Sequence, residues 1–246
     1  MPPENPVSRA GHAGAVEPCR LPEPWTPPNP SIAHRQVSLT SKGHVRGRTL
    51  THEPTPRRVF VESYGELSAA HALMARPDVV HLREQAEPVD YIDDLGEPRQ
   101  HFFDFIVTLA NGDKVAIAYR PQERAVRKDL ASTLRSIAAH MNPSVADRVV
   151  HMSERHLPKE VVRDAKLLRA VKRDNRPEDD AAVAAIVETL LGVTTVGDLV
   201  RTSGLKGRGF RAIVRLIGDG ILKIVGPRGI TYATRIAPGV ATTGGL

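Results

Sequence analysis

Apolar and polar positions alternate in two different periods along this chain, and the change of period divides it. Leu67, Ala70 and Leu73 or Met74 recur at helical spacing, so a helix is predicted over 66–75. Val79, Val80 and Leu82 mark a short strand, and Val89 to Ile92 a second, followed by an Asp-Asp-Leu-Gly turn at 93–96. Phe102 to Leu109 alternates and is aromatic or β-branched. Asn111-Gly112-Asp113 then predicts a hairpin turn, with Lys114 to Tyr119 returning. Val126, Leu130, Leu134, Ile137 and Met141 predict one further helix, stopped by Asn142-Pro143. Val149-Val150 reads as a strand and Glu160 to Lys172 as a helix. Strands alternating with helices predict an α/β core.

Beyond a charged stretch at 173–180, which carries Pro177 and reads as a linker, the pattern is helical. Helices are predicted over 181–191, 196–202 (capped by Thr195) and 207–217, ended by Gly218-Asp219-Gly220. Strands over 221–225 and 230–234 flank Gly226-Pro227-Arg228-Gly229. Three helices and a hairpin predict a small winged helix-turn-helix domain. Its third helix places Phe210, Ile213, Val214 and Ile217 on one face and Arg208, Arg211 and Arg215 near the other. The arginines are expected to face solvent, or phosphates and base edges, together with Lys206 and with Arg228 at the hairpin tip. A solvated face on a module used for protein contacts is the alternative.

Charge strengthens this reading only locally. The 246-residue chain has a formal net charge of +6, which many soluble proteins share. Residues 205–235 alone carry seven basic side chains against one acid, Asp219. No stretch approaches a membrane span, and the proline-bearing start of the chain lacks the apolar run of a secretory signal. The lone Cys19 excludes an internal disulfide and a cysteine cluster, so a reducing cytoplasm is expected. The expected organisation is an extended or disordered arm over 1–55, a core over 56–155, a helix and linker over 156–180, the small domain over 181–237, and a flexible tail over 238–246.

Residues 60–121 resemble the N-terminal domain of the TnsA-type transposon endonucleases. The matching segments are Val61-Glu62-Ser63-Tyr64-Gly65-Glu66, Arg76-Pro77-Asp78-Val79-Val80, Arg83-Glu84-Gln85, Tyr91 to Gly96, His101-Phe102-Phe103-Asp104-Phe105, Asn111-Gly112-Asp113 and Ala118-Tyr119-Arg120-Pro121. The resemblance implies a restriction-endonuclease-like core followed by a winged helix. It further implies double-stranded DNA as partner, a transposase or other mobile-element protein alongside, a bacterial cytoplasm and a Mg²⁺ cofactor. In such a fold carboxylates hold a hard cation that polarises the phosphoryl oxygen and helps make hydroxide from water.

Carried over by position, Glu66 matches the helix carboxylate, with Glu62 one turn earlier as a fallback, and Asp104 matches the strand aspartate. The third ligand position is Ala118, whose methyl cannot bind a cation. The lysine position is Arg120, which keeps the charge and can clamp phosphate but cannot give up a proton. The implied metal site, Glu66 and Asp104 alone, is therefore weak or absent. The expected function is a DNA-binding structural or regulatory subunit with weakened or lost cleavage. An active Mg²⁺-dependent endonuclease would need another acid, such as Asp113 or Glu87, and a winged-helix transcription regulator is a further alternative. The plainer reading makes Asp104 a turn-proximal acid and Glu66 a helix-start acid favoured by the dipole. His101 reads first as a satisfied structural histidine, His71, His151 and His156 lack metal-site spacing, and Gln85 reads as orienting the core.

Overall fold

The computed structural model describes residues 26–35, 46–51, 55–174 and 176–239. Two short strands, β1 (Gly47–Leu50) and β2 (Arg58–Val61), pair antiparallel and lead into α1 (Tyr64–Met74). Ser63 starts that helix: its hydroxyl accepts the Glu66 N–H. β3 (Val79–Glu84) follows, then a separate hairpin of β4 (Val89–Ile92) and β5 (Pro98–His101). β6 (Phe105–Leu109) and β7 (Lys114–Tyr119) form the hairpin that the Asn-Gly turn predicts. The chain then crosses through α2 (Gln122–Arg127) and α3 (Leu130–His140) to β8 (Arg148–Met152).

The central sheet has the order β3-β6-β7-β8, with β7 and β8 parallel. Phe105, Val107, Val115, Ile117 and Tyr119 face α1 in one core cluster. Ala116 and Ala118 face the other way, against Leu134 and Ile137 of α3 with Val89 and Phe103. β7 is thus covered on both sides, which is why five of its six residues are buried and apolar.

The second half holds α4 (Lys159–Lys172), α5 (Pro177–Glu188), β9 (Thr194–Thr195), α6 (Val196–Ser203), α7 (Gly207–Gly218), β10 (Leu222–Ile224) and β11 (Arg235–Pro238). The last strands make a three-stranded antiparallel sheet in the order β10-β11-β9. Val183, Val196, Leu199, Ile213 and Ile236 fill the core between it and helices α5 to α7. α4 joins the halves. Its Val162 enters the α1 cluster, while Val171 packs with Val214 and Ile230. The whole is a mixed α/β fold, with several sheets and seven α-helices among the described residues.

Several expectations need correction. Within 1–55, Gly47–Leu50 is a strand and Asn29 bridges Arg57, so part of the arm belongs to the core; the rest, with Cys19, lies outside the described residues. The strand expected from Phe102 begins only at Phe105, because the Asp104 carboxylate takes the Tyr119 N–H that a longer ladder would use. The single helix over 126–141 is broken at Asp129, which adopts φ +42° and caps α3 by accepting the Ser132 N–H. The linker reading of 173–180 ends early, since Pro177 is the first residue of α5 and Glu178, Asp179 and Asp180 fill its first turn. The strand placed at 230–234 lies instead at Arg235–Pro238, so the loop before it is longer than four residues. In the expected tail, Pro238 closes β11 and 240–246 lie outside the described residues.

Buried Asp164 on α4 accepts the N–H groups of Gly229 (3.0 Å) and Ile230 (2.8 Å) in that loop. Asp164→Ala orphans both donors. It is expected to lower stability by about 3 kcal/mol, since each unpaired buried donor costs roughly 1–3 kcal/mol. Urea unfolding of the full chain measures this; a loss too small to resolve would show that the loop does not depend on α4.

Candidate functional site

The end of β7, the start of α1 and α2 meet around a cavity of about 610 Å³. Glu66 faces it from the first turn of α1 and is buried. Its carboxylate accepts the Glu62 N–H (2.8 Å) and the Ser63 hydroxyl (2.9 Å), so it also secures its own helix start. Burial raises its pKa, opposed by those bonds. Asp104 is only 7% exposed, and its Oδ2 accepts the Tyr119 N–H at 2.7 Å. Burial, reinforced by the Glu66 charge, pushes the Asp104 pKa up to about 7. The Arg120 guanidinium lies 3.6 Å from the same oxygen and pulls the other way. The structure therefore brings Glu66, Asp104 and Arg120 together.

Ala118, the position that the resemblance gives to a third ligand, offers no donor atom. The pairing of β6 with β7 ends at Phe105 and Ile117, and Ala118 is the next residue of β7. Ala118 is 1% exposed and its methyl packs among Phe103, Leu134 and Ile137. The other candidate acids stand elsewhere. Asp113 sits in the hairpin turn beside Asn111, at the far end of β7, nearly 20 Å away at strand rise. Glu87 pairs with Arg83 and lines a different cavity with Ile106 and Thr108, on the sheet's α3 side. Glu62 lines the site, but its carboxylate pairs with Arg35 at 2.9 Å. Among the described residues no group of three or more His, Cys, Asp or Glu side chains is arranged to hold a metal. Two carboxylates supply only part of the roughly six oxygens that Mg²⁺ takes, so a cation here would keep several waters and be weakened by the nearby guanidinium.

The remaining candidates support the frame. Gln85, buried at φ +43°, donates its N–H to the Asp104 carbonyl at 3.0 Å and accepts Arg35 through its side chain. His151 Nε2 lies 2.9 Å from the Arg120 carbonyl, and His156 closes a turn on Ser153. His101 is not satisfied as expected: its buried Nε2 has no hydrogen-bond partner among the described residues, and burial drops its pKa to about 4. His71 is likewise held at about 4 by burial and by Arg169.

The arginine stripe of α7 is where the structure departs furthest from expectation. Arg215 is 4% exposed; its Nε donates to Asp180 at 2.8 Å and its Nη1 to the Asp174 carbonyl. Arg208 stays partly exposed but donates to Asp179 at 2.9 Å, holding that carboxyl below its ordinary range. Arg211 pairs with Asp174. The helix turns these side chains toward the acids at the start of α5, so Arg215 does not face solvent. Lys206 and Arg228 are exposed and enter no ion pair among the described residues.

Uncommitted cations gather instead at the cavity, where no reading of the sequence had set them. Arg46, Arg124 and Lys128 line it, and none of the three forms an ion pair among the described residues. Arg46 Nη1 is buried there without a hydrogen-bond partner among the described residues. The signal in the chain is a four-residue spacing, Arg120-Arg124-Lys128, running from the end of β7 along α2. No protein-family model matches this chain, and no curated protein matches it in sequence. No described helix is long and apolar enough to cross a membrane.

The raised Asp104 pKa has a measurable consequence. The folded chain keeps a proton that the unfolded chain releases between about pH 4 and pH 7, so stability falls as pH rises through that window. Asp104→Asn keeps an acceptor for Tyr119 and cannot ionise. It is expected to stabilise the fold at pH 8 by up to about 4 kcal/mol, an advantage that fades toward pH 4. Thermal melts at both pH values measure this; equal melting of the two proteins at pH 8 would contradict it.

Proposed function

We propose that the chain is a DNA-binding protein built on a restriction-endonuclease-like core related to the TnsA-type transposon endonucleases, with metal-dependent cleavage weakened or lost. One observation carries this reading. Two buried carboxylates, Glu66 and Asp104, lie close together with a guanidinium 3.6 Å from Asp104, and the residue that the resemblance would make a third ligand is an alanine. A guanidinium clamps a phosphate without coordinating metal or moving a proton. Arg46, Arg120, Arg124 and Lys128 give the cavity the charge that a phosphodiester backbone needs.

The second half supports the same reading, since three helices and a three-stranded sheet suit a winged helix-turn-helix. Its contribution is narrower than a full arginine stripe. Arg208, Arg211 and Arg215 are committed to Asp179, Asp174 and Asp180, which leaves Lys206 and Arg228 to touch the backbone. The protein then acts as a structural or regulatory subunit on DNA, alongside a catalytic partner such as a transposase.

Two experiments test this. Arg124→Ala with Lys128→Ala is expected to weaken duplex binding and to flatten the plot of log affinity against log salt by about two, close to 0.9 per lost phosphate contact. An unchanged slope would show that the cavity does not hold the backbone. Supercoiled plasmid incubated with Mg²⁺ or Mn²⁺ is expected to stay intact or to be nicked only slowly. Brisk nicking abolished by Asp104→Ala would instead make the protein an active endonuclease.

A further inference from the structure

A second cavity of about 480 Å³ adjoins the first, and the two share Gly65 and Tyr119 as a common wall. Gly65 makes that wall possible: a Cβ there would fall 2.2 Å from the Tyr119 hydroxyl, so only glycine lets the ring lie across the start of α1. The second cavity is chemically unlike the first. Leu157 and Val162 give it an apolar floor, and Lys159, Arg163 and Lys166 stand around it with one acid, Glu154. None of these three cations forms an ion pair among the described residues.

Tyr64, the first residue of α1, also lines this cavity. It is 58% exposed, and the Lys166 ammonium sits 5.5 Å from its ring centroid. A large aromatic ring left half in water, edged by cations and next to a second cation-lined cavity, has the composition of a base-stacking platform. Ordinary core tyrosines bury their rings, as Tyr119 does. A continuous duplex offers phosphates and base edges, and its base faces are occupied by neighbouring pairs. The cavity volume lies within the range of small-ligand sites, of order 300–1,000 Å³, and suits one nucleotide.

We propose that this second cavity receives an unpaired nucleotide, its base stacked on Tyr64 and its phosphates held by Lys159, Arg163 and Lys166, as the continuation of a strand whose backbone lies in the first cavity. The protein would thereby prefer DNA ends or junctions with a single-stranded extension to uninterrupted duplex. This inference rests on the proposed function, because the first cavity must hold the neighbouring backbone.

Fluorescence anisotropy of the full chain in EDTA tests it, with a blunt duplex and the same duplex carrying an oligothymidine extension at either end. The extension is expected to tighten binding about tenfold, the scale of one stacked base. Tyr64→Ala is expected to remove that gain while leaving blunt-duplex affinity unchanged, and Tyr64→Phe to keep it. No gain from either extension, or a gain that survives Tyr64→Ala, overturns the proposal. A gain that tracks Tyr64 while Arg124→Ala with Lys128→Ala leaves blunt-duplex binding unaltered would uphold the stacking site and overturn only the backbone reading of the first cavity. Failure to bind any of the DNAs overturns both.

Discussion

Asp104 decides how the two halves of the central hairpin end, and the cavity follows from it. Its carboxylate takes the Tyr119 N–H, which stops the ladder at Phe105 and lets the chain before it turn away. The same carboxylate is buried beside Glu66, so its charged form is disfavoured until about pH 7. The opposing positive charge nearby is Arg120. The raised pKa and the Arg120 guanidinium both reduce the cost of burying two carboxylates side by side. On the proposed function, such a site would hold a phosphate and be poorly equipped to activate water against it.

The distribution of paired and unpaired cations then separates surfaces that a charge count treats alike. Along α7, each arginine of the stripe meets an acid from the start of α5 or the turn before it. These pairs fasten the third helix of the small unit to its first. The cations around the two cavities have no such partners among the described residues, and they lie where α1, β7, α2 and α4 converge. Attraction for a polyanion depends on charge that is not already neutralised at short range. On the proposed function, the cavities would accordingly be the stronger interface, and Lys206 and Arg228 an auxiliary one.

Much of the fold was legible because periodicity reports burial directly. β4 and β7 were marked to the residue by their apolar pattern, and the helices from α4 to α7 by theirs, within a few residues. Periodicity failed where one local group overrode it. Asp129 breaks a continuing apolar repeat by capping α3, and Asp164 pins a loop whose β-branched residues read as a strand. β1 was hidden because its four residues carry no alternation of their own and are defined by their partner β2. At the site, the resemblance implied that Glu66, Asp104 and Arg120 would meet, and the structure brings them together. Pairing could not be foretold: nothing in the spacing of Arg208, Arg211 and Arg215 names Asp174, Asp179 and Asp180, roughly thirty residues earlier. Nor does the spacing of Arg120, Arg124 and Lys128 reveal that they share a cavity with Arg46.

On the proposed function, Ala118 and Arg120 occupy the positions of a lost metal ligand and a lost catalytic lysine. Calorimetric titration with Mn²⁺ addresses it most directly, comparing the natural chain with Ala118→Glu combined with Arg120→Lys, each first checked by thermal melting for a folded state. The account predicts that the double variant gains a site that binds Mn²⁺ at least tenfold more tightly, and that adding Asp104→Ala removes it. A folded double variant with no gain in affinity would contradict the placing of residue 118 at a ligand position beside Asp104, and the account of the cavity with it.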